Sequence, residues 1–139
     1  MDLPDRLIRS VAADMFGDVS GIGIDLVDIE LMRSLLDAGG QSFVDAYWTV
    51  PEQNATERRV ERLAGRWAAK EAVMKSLGSG VGEIDPIDIE ITARASGAPE
   101  VVLRGRAAEA AEELDVRTCH VSITHESSWA AAIALAVRA

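Results

Sequence analysis

Apolar positions recur along the chain with two different periods, and the switches between them mark out the elements. Leu7, Ile8, Val11 and Met15 fall on one side of a predicted helix that Asp2 caps and Gly17 ends, with Pro4 in its first turn. From Gly21 to Ile29 the period drops to two: Ile22, Ile24 and Leu26 point one way, and Gly21, Gly23, Asp25 and Val27 the other. A helix follows from Glu30 to about Ala38, closed by Gly39 and Gly40. Phe43 to Trp48 fits either period, and Pro51 to Thr56 reads as a break. The longest predicted helix runs from about Ala55 to Leu77, with Asn54 and Glu57 as its capping box and Gly78 as its stop. A flexible loop, Gly78 to Gly82, separates it from a strand in which Ile87, Ile89 and Ile91 alternate with Asp88 and Glu90, leaving one wet face. Ser96 to Pro99 forms a turn before a second strand, Val101 to Leu103. A short helix, Arg106 to Leu114, precedes a final strand pair, Cys119 to Thr124 and Trp129 to Val137, joined across His125 to Ser128. No repeat, low-complexity stretch or linker interrupts this order. The expectation is one α+β domain over residues 1–139, with a mainly antiparallel sheet and an N-terminal helical extension over 1–17.

Length and charge narrow the function classes. At 139 residues the chain suits one domain able to bury roughly two-thirds of its unfolded surface. Its formal net charge is −9, which disfavours nonspecific nucleic-acid binding and attraction to anionic lipid. The charge is uneven. Arg58, Arg59, Arg62, Arg66, Lys70 and Lys75 share one segment with only Glu61 and Glu71, so that segment is +4 and the remainder −13. Cys119 is the only cysteine and reads as a small buried hydrophobe. The first ten residues lack the apolar run of a secretory signal, and Trp129 to Val137 is too short for a membrane span, so a cytoplasmic location is expected.

Two carboxylates sit where a core would not place them. At about 100° per residue, Val60, Leu63, Ala64, Trp67 and Met74 share one face of the long helix. Glu71 falls in the middle of that face, with Lys70 and Lys75 flanking it. A carboxylate there needs a salt bridge, a metal, or a helix end that leaves the core. Asp25 interrupts an apolar strand on the face that carries Gly21 and Gly23. It is either an edge residue in solvent or part of a site, and the glycines either leave space above the sheet or admit another backbone. Together the two acids suit a hard cation such as Mg²⁺, which is typically held by one or two carboxylates plus substrate phosphates. The basic flank of the helix and the glycine loop suit those phosphates. Trp48, Trp67 and Trp129 read as packing residues and His120 as a sheet residue. The Arg run resembles a nucleic-acid helix only until its apolar stripe and the net charge are weighed.

Three segments in order, Gly21-Ile-Gly-Ile-Asp25, Leu63-Ala-Gly-Arg-Trp-Ala-Ala-Lys-Glu71-Ala-Val-Met-Lys75 and Val121-Ser-Ile-Thr-His125, resemble the holo-acyl-carrier-protein synthase type of phosphopantetheinyl transferase. The resemblance extends from about Gly21 to Val137. It implies the phosphopantetheinyl transferase fold and Mg²⁺-dependent transfer of the phosphopantetheine arm of coenzyme A to a serine of an apo acyl carrier protein, of fatty acid or polyketide type. It implies Asp25 and Glu71 as metal ligands and, with Lys75, as the catalytic residues; Lys75 binds phosphate. Arg66 and His125 would contact the nucleotide end of coenzyme A, and Gly78 and Ser79 the pyrophosphate region. Gly97 and Pro99 would line the adenine pocket from a neighbouring subunit of a homotrimer. The serine proton would go to Glu71 or to a water on the metal. The family's usual Arg six residues after the first Asp is Leu31 here, which keeps a non-catalytic coenzyme A or carrier-docking domain as the alternative.

Overall fold

A computed structural model describes residues 18–78 and 83–138. Its elements are β1 (Val19–Asp28), α1 (Ile29–Tyr47), α2 (Val50–Thr56), α3 (Val60–Ser76), a 3-10 turn (Pro86–Asp88), β2 (Ile89–Ala93), β3 (Pro99–Leu103), α4 (Gly105–Glu113), β4 (Thr118–Glu126) and β5 (Trp129–Val137). The strands form two antiparallel sheets, β1-β5-β4 and β2-β3. This is the expected α+β arrangement around one long helix, α3. The helix read over Leu7 to Met15 and the loop over Ser79 to Gly82 lie outside the described residues.

The inner face of the larger sheet is built from alanines. Ala130, Ala132, Ala134 and Ala136 of β5 are buried, and these small residues let α3 lie close to the sheet. Gly21 and Gly23 do the same on β1: a Cβ at either would overlap a carbonyl oxygen of α3, Ser76 O and Ala72 O respectively. Of the two readings of these glycines, close backbone approach is the one the structure adopts. The other side of α3 packs on α1, α2 and β2, where Trp48, Leu63, Met32, Ile89 and Ile91 fill the core. Trp48 is fully buried and its indole N–H donates to Leu63 O at 3.2 Å, so truncating it to Ala would cost about 3–5 kcal/mol.

The structure corrects several local expectations. The capping box belongs to Thr49 and Glu52 at the start of α2, with Pro51 in its first turn. Pro51 to Thr56 is thus a helix, because Pro in a first turn forfeits no internal hydrogen bond. Glu57 and Arg58 then take left-handed backbone conformations, and the long helix starts only at Val60. The helix after β1 does break at Gly40, whose φ of 61° and ψ of −154° are non-helical, but a second helical stretch then carries α1 on to Tyr47, where the sequence fitted either period. Ile87 lies in the 3-10 turn and not in a strand. Glu90, expected on a wet face, is buried and bonded to Arg104 at 3.2 Å. Trp129 is half exposed, while Cys119 is buried as expected.

Candidate active site

Strand β1 and helix α3 bring the two anomalous carboxylates together. Asp25 follows Gly23 by two residues and so shares its face, the one closed against α3. Lys75 Nζ, on the last turn of α3, donates to Ile24 O at 2.9 Å and to Asp25 Oδ1 at 3.3 Å. Glu71 lies one turn earlier, and both carboxylates line the same cavity of about 510 Å³. Burial raises the Asp25 pKa above the usual carboxylate value, with the Lys75 hydrogen bond opposing. Burial also raises that of Glu71, and the Asp25 charge adds to it while Lys75 opposes. Two half-buried acids that repel each other at the mouth of a cavity form an oxygen donor pair for a hard divalent cation. Among the described residues no cluster of three or more His, Cys, Asp or Glu side chains is placed to hold a metal, so any such ion would rest on this pair and on ligand oxygens.

The rest of that cavity was not read from the sequence. Asp28, Asp85, Tyr47, Leu31, Leu35 and Met32 line it beside Trp67. Asp28 spends its carboxylate on the N-terminus of α1, accepting from Glu30 N at 2.9 Å and Leu31 N at 3.2 Å. Tyr47 and Trp67 pack with ring centroids 4.6 Å apart and form an aromatic wall. A helical signal over Phe43 to Tyr47 was present, but it was masked by the glycine pair before it.

A second cavity, of about 230 Å³, opens on another side of α3. Arg66, Gly97, Pro99 and His125 line it together with Arg62 and Gly65. Four of the expected nucleotide contacts thus converge, and the turn carrying Gly97 and Pro99 stands beside Arg66 and His125 of its own chain. That turn is held by paired bonds, Arg94 N to Ala98 O and Gly97 N to Arg94 O, both 2.8 Å, with Gly97 at φ 89°. Arg66 is half-buried, and burial lowers its pKa against the opposing pull of Glu52. Its Nε is buried with no acceptor among the described residues. A guanidinium so placed suits an anionic ligand. Arg62, four residues earlier on the same helix face, belongs to the basic flank read as suiting phosphates but was not singled out as a nucleotide contact. Gly78 ends α3 at φ 72°; Ser79 lies outside the described residues.

Lys70 departs most from expectation. It was placed at the edge of the apolar face of α3, yet its side chain is 1% exposed and paired with Glu52. The helix is enclosed on both sides, so its deepest charge is Lys70, and Glu71 lies half-buried beside it.

The model of the 4'-phosphopantetheinyl transferase superfamily matches residues 21–134. A holo-[acyl-carrier-protein] synthase of Gloeobacter violaceus is 40% identical over 115 residues, covering 80% of this chain and 87% of that protein. The fatty acid synthase subunit alpha of Schizosaccharomyces pombe is also 40% identical, over 94% of this chain but only 7% of its own length. The solved holo-[acyl-carrier-protein] synthase of Helicobacter pylori, in complex with coenzyme A, superposes with a TM-score of 0.76 at 27% identity, covering 83% of this chain and 98% of that one. With the matched region spanning β1, all of α3 and most of β5, the chain belongs to the 4'-phosphopantetheinyl transferase superfamily.

Proposed function

We propose that the protein transfers the phosphopantetheine group of coenzyme A to a serine hydroxyl of an apo acyl carrier protein, releasing adenosine 3',5'-bisphosphate. The observation that carries this reading is the pair of cavities on α3. One holds Asp25 and Glu71, and the other gathers Arg62, Arg66 and His125. A ligand with a nucleotide end, a pyrophosphate and a long neutral arm needs such a division. The Helicobacter pylori relative was solved with coenzyme A, and the Gloeobacter violaceus relative carries the synthase name.

In the reaction, the serine oxygen forms a bond to the phosphorus that bears the pantetheine arm. The bond from that phosphorus to the departing bisphosphate breaks, and the serine proton leaves. Asp25 and Glu71 would hold Mg²⁺, which supplies charge neutralisation to the pyrophosphate. Lys75, half exposed beside Asp25, offsets charge on the phosphate under attack. Glu71, lining the cavity beside Asp25, is placed to accept the serine proton directly or through a water. Arg66 and His125 orient the nucleotide end, with Gly97 and Pro99 shaping its wall and Gly78 beside the pyrophosphate.

Self-association as a homotrimer fits the outer face of the larger sheet. Ile22, Ile24 and Leu26 of β1 are each more than 60% exposed, with Trp129 and Ile133 of β5 alongside, and no described element covers them. Residues 1–139 are read as one transferase domain. Among the described residues no helix is long and apolar enough to cross a membrane.

The test is to mix the protein with coenzyme A, Mg²⁺ and a panel of apo carriers of fatty acid and polyketide type. An added phosphopantetheine mass on the carrier is expected. Coenzyme A binding by calorimetry without any mass shift would replace this reading with a non-catalytic binding domain.

A further inference from the structure

Lys70 ends in a cage that leaves its ammonium no unused proton. Nζ donates to Glu52 Oε1 at 2.7 Å, Ile89 O at 2.6 Å and Pro86 O at 3.0 Å. An ammonium has three donors, so the site is saturated. Glu52 is fully buried too, and it also accepts locally from Thr49 N, at 3.0 Å on Oε1, and across to β2 from Ile91 N, at 3.2 Å on Oε2. One buried ion pair therefore ties α3 to α2, to the 3-10 turn and to β2.

Those attachments fall on the walls of both cavities. Pro86 and Asp85 line the cavity of Asp25 and Glu71. Ile91 and Thr92 of β2 line the cavity of Arg66 and His125. The side chains that face these walls, Arg66, Glu71 and Trp67, stand on α3 within four residues of Lys70. The setting of α3 against the 84–92 segment thus fixes how wide each cavity is. The carbonyls of Pro86 and Ile89, turned inward to Lys70, set that spacing.

Resting on the transferase reading above, we propose that Lys70 is a positioning residue for the transfer reaction, holding the outer wall of both cavities at working distance from the α3 side chains. It touches no substrate. Its role is separable from its contribution to stability, because a buried ion pair replaced by apolar residues of similar volume often keeps or improves stability. The carbonyl bonds are lost in such a replacement, and an unpartnered carbonyl moves to find another donor.

The experiment compares the wild type with K70M/E52M and E52Q at one temperature where all are folded. Melting temperature, kcat, KM for coenzyme A and hydrogen exchange over residues 84–92 are measured. K70M/E52M is expected to melt near the wild type, to exchange faster over that segment, and to lose at least tenfold in kcat/KM. E52Q keeps the ammonium on both carbonyls. It is expected to lose stability while its kcat stays within about twofold of the wild type. A K70M/E52M protein with wild-type melting, kcat and KM overturns the assignment. If the double variant fails to fold, E52Q decides: a folded E52Q with a tenfold loss of kcat overturns the assignment to the carbonyl bonds, and near-normal kcat upholds it. A wild type that modifies no carrier refutes the transferase reading and this inference with it. A wild type that is active alongside an equally active double variant refutes the inference alone.

Discussion

Replacing Gly23 by Ala tests whether the approach of β1 to α3 builds the face that carries Asp25 and Glu71. The added Cβ would overlap Ala72 O and lie 2.8 Å from Ala72 C and 2.9 Å from Ser76 N, where ordinary contact begins near 3.4 Å. These are backbone atoms of a helix buried between two layers, and the Ala72 O overlap is the tightest, so the strand must yield by about 1 Å or more. Overpacking of this kind costs about 1–3 kcal/mol. For a chain of this size that is a fall of about 4–12 °C in melting temperature. The chemical consequence is larger. Asp25 is two residues along the same strand face, and Lys75 Nζ reaches Ile24 O at 2.9 Å and Asp25 at 3.3 Å. A shift of that size would take the Asp25 contact past hydrogen-bond range and move the acid away from Glu71. Misplacement on this scale costs about 10–100-fold in rate. The assay is carrier modification by intact mass, run well below the melting point of Gly23→Ala, with circular dichroism to confirm the fold. Wild-type melting together with wild-type turnover would refute the argument that backbone contact, rather than side-chain packing, sets the Asp25–Glu71 spacing.

Other outcomes follow from the same geometry. Asp25→Asn and Glu71→Gln should each abolish transfer yet raise the melting temperature of metal-free protein at pH 7–8. Both folded pKa values are raised, so the native state holds protons the unfolded chain releases, and stability falls as pH climbs from the ordinary carboxylate range through the raised values. Adding Mg²⁺ should stabilise the wild type and neither variant, which differential scanning fluorimetry reads directly. Arg66→Ala and His125→Ala should raise KM for coenzyme A at least fivefold, with a smaller change in kcat, in steady-state assays. If the proposed trimer forms through the sheet face that no described element covers, Ile24→Asp should shift it to monomer in light scattering. Cys119 is buried and its thiol is pushed up to about 11, so it should resist thiol reagents at pH 8 until the protein unfolds.

The parts of the fold that were legible are those whose signal is local. Period-two runs in β1 and β4, the unbroken apolar run of β5 and the apolar face of α3 were enough to set the α+β class. The candidate carboxylates were legible for the opposite reason, as polar residues at positions a core would fill. What failed was legibility where a neighbour decides. The capping box went to Thr49 and Glu52 because Pro51 begins a helix there, and no local preference separates that from Asn54 and Glu57. Gly40 does interrupt α1 at a positive φ, and what the sequence did not show is that the chain turns helical again beyond it, as far as Tyr47. Glu90 was read on a wet face and Lys70 at the edge of the apolar stripe, and only tertiary partners, Arg104 and Glu52, make them dry.

The charge island on α3 changes meaning once its members are placed. Lys70 contributes nothing to the surface, since Glu52 cancels it inside the core. Lys75 is shared with Asp25 at 3.3 Å, and Arg62 lies 3.6 Å from Glu57. Arg58 donates to Gln53 Oε1 at 3.1 Å, on the α2 side of the molecule. Of the six cations, Arg66 is the one that lines a cavity with a buried donor lacking an acceptor among the described residues. The +4 count therefore overstates the attraction this segment offers to a passing polyanion and understates its selectivity. A ligand gains little from contact with the island as a whole. On the transferase reading proposed above, it gains from reaching Arg66 and His125 with one anionic end while its pyrophosphate reaches the Asp25–Glu71 side. A nucleic acid strand cannot do this without threading two cavities on different sides of one helix, whereas a single flexible cofactor can.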